Sequence, residues 1–99
     1  MRIQTEAVQF KADQKLINYI EERLGKLNQF FDRITEVRVF LRLENSGRIR
    51  DKVAAVEVHL PGGTLFAKES KKTFEASIEQ VTRQLQRQIK KYKQRAKQK

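Results

Sequence analysis

Apolar and polar residues alternate at the start of this chain, recur at helical spacing, alternate again through its middle and return to helical spacing at its end. In RIQTEAV, residues 2–8, the residues Ile3, Thr5 and Ala7 share one face, which predicts a strand. From Asp13, a candidate N-cap, DQKLINYIEERLGKL sets Leu16, Ile17, Ile20, Leu24 and Leu27 on one helical stripe, with Gly25 the weak helix former within it. Phe30 and Phe31 follow in a connection ending near Arg33, and their bulk predicts that they plug the helix end against the core. TEVRVFLRLE, residues 35–44, alternates cleanly: Val37, Val39, Leu41 and Leu43 on one face, with Glu36, Arg38, Phe40, Arg42 and Glu44 on the other.

Asn45, Ser46 and Gly47 signal a turn, after which KVAAVEVHL puts Ala54, Val56, Val58 and Leu60 inward. Pro61, Gly62 and Gly63 suit a tight connection, so residues 51–60 and 64–69 read as a hairpin. Ser70 is the expected cap of a final helix from about Thr73 to about Arg95. Such a helix is roughly 35 Å long at 1.5 Å per residue and outruns the strands, which predicts fraying over residues 96–99.

The order β-α-β-β-β-α predicts an α+β fold, a four-stranded mixed sheet with two helices packed on one face. The first two strands, joined by a helix, can pair in parallel through a right-handed crossover, and the remaining strands follow as an antiparallel meander. A chain of 99 residues suits one modest core, so one domain is expected over 1–99.

Composition narrows the function. Without cysteine there is no disulfide framework, thiolate metal site or cysteine nucleophile. No apolar run is long enough to span a bilayer and MRIQTEAV is unlike a secretory signal, so a cytoplasmic location is expected. Charge is unevenly placed: residues 1–70 hold 12 basic and 10 acidic side chains, whereas residues 71–99 hold 10 basic and 2 acidic, out of a net +10. The last third is where a polyanion would be met.

Winding the final helix at ~100° per residue separates two stripes. Phe74, Ile78, Val81, Leu85 and Tyr92 form one, with Ile89 at its margin; opposite lie Arg83, Arg87, Lys90 and Lys97, with Gln94 among them and Lys91 and Arg95 on one flank. A charged helix face is usually only a solvated face, and cations near a C-terminus complement the helix dipole. That account leaves a surplus, because Arg83 with Arg87, Arg87 with Lys91, and Lys91 with Arg95 are like-charge pairs each costing ~0.2–0.5 kcal/mol. Phosphates would reverse the sign of that term, which favours a nucleic acid. A membrane surface fits less well, since the helix's other face is committed to the core.

Arg23 and Lys26, with Lys15, offer a second basic edge on the first helix, although either Arg23 or Lys26 could equally be a surface charge paired with Glu22 or Glu21. Tyr92 falls on the core side. Phe40 and Phe66 fall by parity on the open sheet face, where cross-strand packing is the plain reading and stacking on RNA bases the sharper one. His59, the single histidine, sits beside Glu57 without a serine, cysteine or second histidine at useful spacing, and no phosphate-cradling glycine motif occurs. No enzyme, metal, cofactor or small-molecule substrate is therefore expected.

YIEERLGKLNQFFDRI, VAAVEVHLPGGTLFAKE and FEASIEQVTRQLQRQIKKYK, in this order and spacing, resemble the ribosome hibernation promoting factors, a family also labelled sigma factor modulation proteins. The resemblance implies a fold similar to a double-stranded-RNA-binding domain and a protein that occupies the mRNA/tRNA decoding channel of the small ribosomal subunit, silencing translation under stress and in stationary phase. It implies ribosomal RNA contacts at Arg23 and Lys26 in RLGKL and at Arg83, Arg87, Lys90 and Lys91 in RQLQRQIKK; the wheel adds Arg95. Lys72-Thr73-Phe74 departs from the acidic residue, methionine and aromatic that many members carry there. The ending at Lys99 is similar to the short form of the family, which would need a separate small protein, or nothing, to pair ribosomes into dimers. Two other readings compete: a general duplex-RNA-binding module, which the topology and basic helix would suit, and a protein-interaction regulator of transcription, which the older family label suggests.

Overall fold

The computed structural model describes residues 1–46 and 49–97, and within it the side chains of residues 45, 46, 49, 50, 96 and 97 are left aside. The order is β1 (Arg2–Val8), α1 (Gln14–Gly25), a 3-10 turn (Lys26–Gln29), β2 (Glu36–Ser46), β3 (Ile49–Leu60), β4 (Gly63–Lys71) and α2 (Phe74–Lys97). The four-stranded sheet runs β1-β2-β3-β4, with β1 parallel to β2 and the other pairs antiparallel. This is the α+β arrangement that the alternation predicted. Of the turn expected at Asn45 to Gly47, Asn45 and Ser46 belong to β2, and residues 47 and 48 lie outside the described part.

Each helix starts where a side-chain oxygen can take an orphan N–H of the first turn. Asp13 does this for α1, its Oδ1 accepting from Leu16 N at 2.8 Å. For α2 the residue is Thr73, whose Oγ1 accepts from Ala76 N at 3.1 Å. Ser70 was the expected cap; it instead lies inside β4, paired with Val53, because the strand runs two residues longer than its apolar pattern. Backbone helix extends through Lys97, so residues 96 and 97, expected to fray, are helical, and residues 98 and 99 lie outside the described part. At the β3–β4 turn Gly62 has φ +85°, a left-handed value that glycine adopts without a Cβ penalty.

One sheet face and both helices enclose the core. Val37, Val39, Leu41, Ala54, Val56 and Val58 are buried beneath Ile20, Leu24 and Leu27 of the first helical segment and Ile78, Val81, Leu85 and Ile89 of α2. Phe30 and Phe31 are half-buried against this cluster, Phe31 meeting the Tyr92 ring edge-on with centroids 5.4 Å apart. Ile89, marginal on the wheel, is fully buried. The opposite sheet face carries Phe40, half-buried, and Phe66, 52% exposed, as parity predicted.

Candidate nucleic-acid interface

Two helices lying side by side build the basic face. Contacts advance together along both: Tyr19 Oη reaches Glu75 O at 3.4 Å, Arg23 reaches Glu79, and further on Lys93 Nζ donates to Phe30 O at 2.8 Å. The helices therefore run in the same direction, and the C-terminal end of α1 delivers its cations beside the middle of α2. Lys26 caps α1 and is exposed, where a cation also suits the negative end of the helix dipole.

Arg23 is not held by Glu21 or Glu22 but reaches across to Glu79. A single carboxylate oxygen, Glu79 Oε1, accepts from Arg23 Nη2 at 3.2 Å and from Arg83 Nη2 at 3.3 Å. The guanidinium of Arg23 also lies 5.9 Å from the Tyr19 ring centroid, and its buried Nε has no protein partner. Glu79 thus joins one arginine from each helix at the seam between them. Both pairs are partly exposed, and such pairs contribute only ~0–1 kcal/mol to stability.

Beyond this seam the charge is unopposed. Arg87, Lys90, Lys91 and Arg95 are exposed and make no ion pair with any described residue. Arg87 and Lys90 occupy the side of α2 facing away from Val81, Leu85 and Ile89, with Lys91 and Arg95 on the flank toward Leu65, so the core fixes the direction in which they project. The structure brings Arg23, Lys26, Arg83, Arg87, Lys90, Lys91 and Arg95 onto the helical layer, with the first and third tied through Glu79. Lys15, near the start of α1, is exposed as well.

Two glutamines that the charge pattern passed over anchor this surface. Gln84 Nε2 donates to Glu69 of β4, and Gln88 Nε2 donates to Phe66 O at 2.9 Å. Placed at i and i+4 on the flank between the apolar and basic stripes, they fasten α2 to the sheet edge through neutral donors. That flank position, polar but uncharged between two strong stripes, was the available signal.

His59 Nε2 lies 3.3 Å from Glu57 Oε1 on the open face of β3, as its parity suggested. Among the described residues no group of three or more His, Cys, Asp or Glu is placed to hold a metal ion. No described helix is long and apolar enough to cross a membrane.

Comparison with known proteins bears on this surface. Residues 3–97 match the family described as Sigma 54 modulation protein / S30EA ribosomal protein. A ribosome hibernation promoting factor of Pseudomonas putida is 30% identical over 95 residues, covering 96% of this chain and 89% of that protein. A ribosome hibernation promotion factor of Lactococcus lactis is 38% identical over 79 residues, or 78% of this chain and 41% of that one. Among solved structures, a ribosomal subunit interface protein from Coxiella burnetii superposes with a TM-score of 0.83 at 22% identity, covering 94% of this chain and 98% of that one. The N-terminal domain of Thermus thermophilus Protein Y gives 0.76 at 23% identity, with 92% and 94% covered. These two establish likeness of fold.

Proposed function

We propose that this chain, which belongs to the Sigma 54 modulation protein / S30EA ribosomal protein family, is a ribosome hibernation factor that works as a single domain in the cytoplasm. It binds the small ribosomal subunit through the basic face of α1 and α2 and occupies the decoding channel, so that messenger and transfer RNA are excluded. Translation stops by occupancy, with no bond made or broken. The observation that carries this reading is the row Arg87, Lys90, Lys91 and Arg95, exposed and without an ion pair to any described residue. Such a row is costly in the free protein and favourable against phosphates, where each contact releases condensed counterions. Names borne by similar proteins, ribosome hibernation promoting factor and ribosomal subunit interface protein, support the choice of target.

Sedimentation with purified small subunits at near-physiological salt tests this directly. Co-migration that messenger and initiator transfer RNA together prevent is the expected result. Equal retention by a plain RNA duplex would instead favour a general duplex-RNA binder, a reading that the basic helix also suits.

A further inference from the structure

Beside the basic row, between the β3–β4 turn and the last turns of α2, lies a cleft of about 540 Å³. A smaller hollow of about 220 Å³ continues it along the helix, and the two share Leu65, Tyr92 and Arg95. Its floor is apolar: Leu65 is half-buried, and the ring of Tyr92 is fixed by Phe31 at its edge and by its hydroxyl, which donates to Pro61 O. The Gly62-Gly63 turn places no side chain over the opening, and a Cβ at Gly63 would meet nothing within 4 Å.

One wall offers backbone groups. Gln88 takes the carbonyl of Phe66 on the outer edge of β4. Backbone groups of alternate residues in an antiparallel edge strand point the same way, so the N–H and C=O of Thr64 face that free edge as well. At the mouth stand Lys91 and Arg95, both exposed, and no acidic side chain lines either hollow.

An apolar floor with a fixed aromatic ring, a donor and acceptor on one wall and two cations at the mouth match the parts of a single nucleotide. We propose that this cleft binds one unpaired RNA nucleotide, its base against Leu65 and Tyr92, its hydrogen-bonding edge toward Thr64 and its phosphate between Lys91 and Arg95. A base inside a duplex is already stacked and paired, so only a loop, bulge or free strand can supply this ligand. The inference rests on the reading of this chain as a ribosomal RNA binder and adds a single-strand site to its phosphate-reading row.

The test is a titration of the ¹⁵N-labelled protein with hexauridylate at low salt, followed by NMR, with a blunt RNA duplex and hexaglutamate as comparison ligands. Expected are shifts of the Gly62, Gly63 and Thr64 amides and of the Tyr92 ring with hexauridylate alone, and a loss of affinity of about fivefold or more in Tyr92→Leu. Arg95→Gln, at an exposed position, should weaken binding several-fold whatever Tyr92→Leu does to folding. Shifts confined to the α1–α2 row, or equal cleft shifts with the duplex or with hexaglutamate, would overturn the site. Sedimentation of the unaltered protein with small subunits reports separately on the ribosome: retained co-migration without cleft shifts removes only the nucleotide site, whereas cleft shifts without co-migration remove only the ribosomal reading.

Discussion

Ser77 illustrates how one buried hydroxyl can decide where elements end. Its Oγ donates to Lys52 O at 2.6 Å and accepts from Lys71 N at 3.0 Å, joining the end of β4 to β3 from a position inside α2. Replacing Ser77 by Ala leaves both backbone groups without this partner in a part-buried setting, which predicts a loss of about 1 kcal/mol or more in urea unfolding. Thr73→Ala, removing the α2 cap, should cost about 1 kcal/mol. The same measurement on Ser70→Ala separates the two candidate caps, and there the change should stay within about 0.5 kcal/mol. Asp13 was legible as a cap because an apolar helical stripe follows it directly; at the start of α2 two hydroxyl residues, Ser70 and Thr73, compete, and only the length of β4, whose end Ser77 holds, decides between them. Val53 was illegible for a related reason: parity puts it on the open face, yet it is 1% exposed, because Phe40, Phe66, Arg42 and Lys68 gather over that part of the sheet.

At the scale of the element, α2 keeps two functions apart on opposite sides of one cylinder. Its apolar stripe was plain in the sequence because a helix projects residues at i, i+4 and i+7 in one direction, and its basic row was plain for the same reason. The seam with α1 was not, since Arg23 had near neighbours of opposite charge in Glu21 and Glu22 but reaches Glu79 across the interface. This separation makes stability and binding independently testable. Leu85→Ala, at a fully buried site, should cost about 2–5 kcal/mol in unfolding experiments. Arg87→Glu together with Lys91→Glu should abolish co-sedimentation with small subunits while leaving the melting temperature nearly unchanged, since both side chains are exposed and without ion pairs to described residues. A folded double variant that still binds would remove these two positions from the interface.

For the molecule as a whole, the decisive property is that its positive charge is gathered on the helical layer while the sheet behind it carries mixed signs. Four cations of α2 without an ion pair among the described residues, two more joined through Glu79 and Lys26 at the end of α1 amount to about four to seven phosphate contacts. At a slope of roughly −0.7 to −0.9 per contact, affinity for the small subunit should fall by roughly 10²–10⁴ between 50 and 200 mM salt. Neutralising Arg87 and Lys91 as glutamines should make that slope shallower by about 1.4–1.8, because two contacts disappear while no repulsion is introduced. A protein-interaction module for transcription would behave otherwise, with a shallow slope that the two substitutions barely change. Equilibrium binding of the unaltered and doubly neutralised proteins across that salt range therefore tests both the chemistry of the partner and the position of the contact surface, and a flat dependence in the unaltered protein would rule out phosphate as its main ligand.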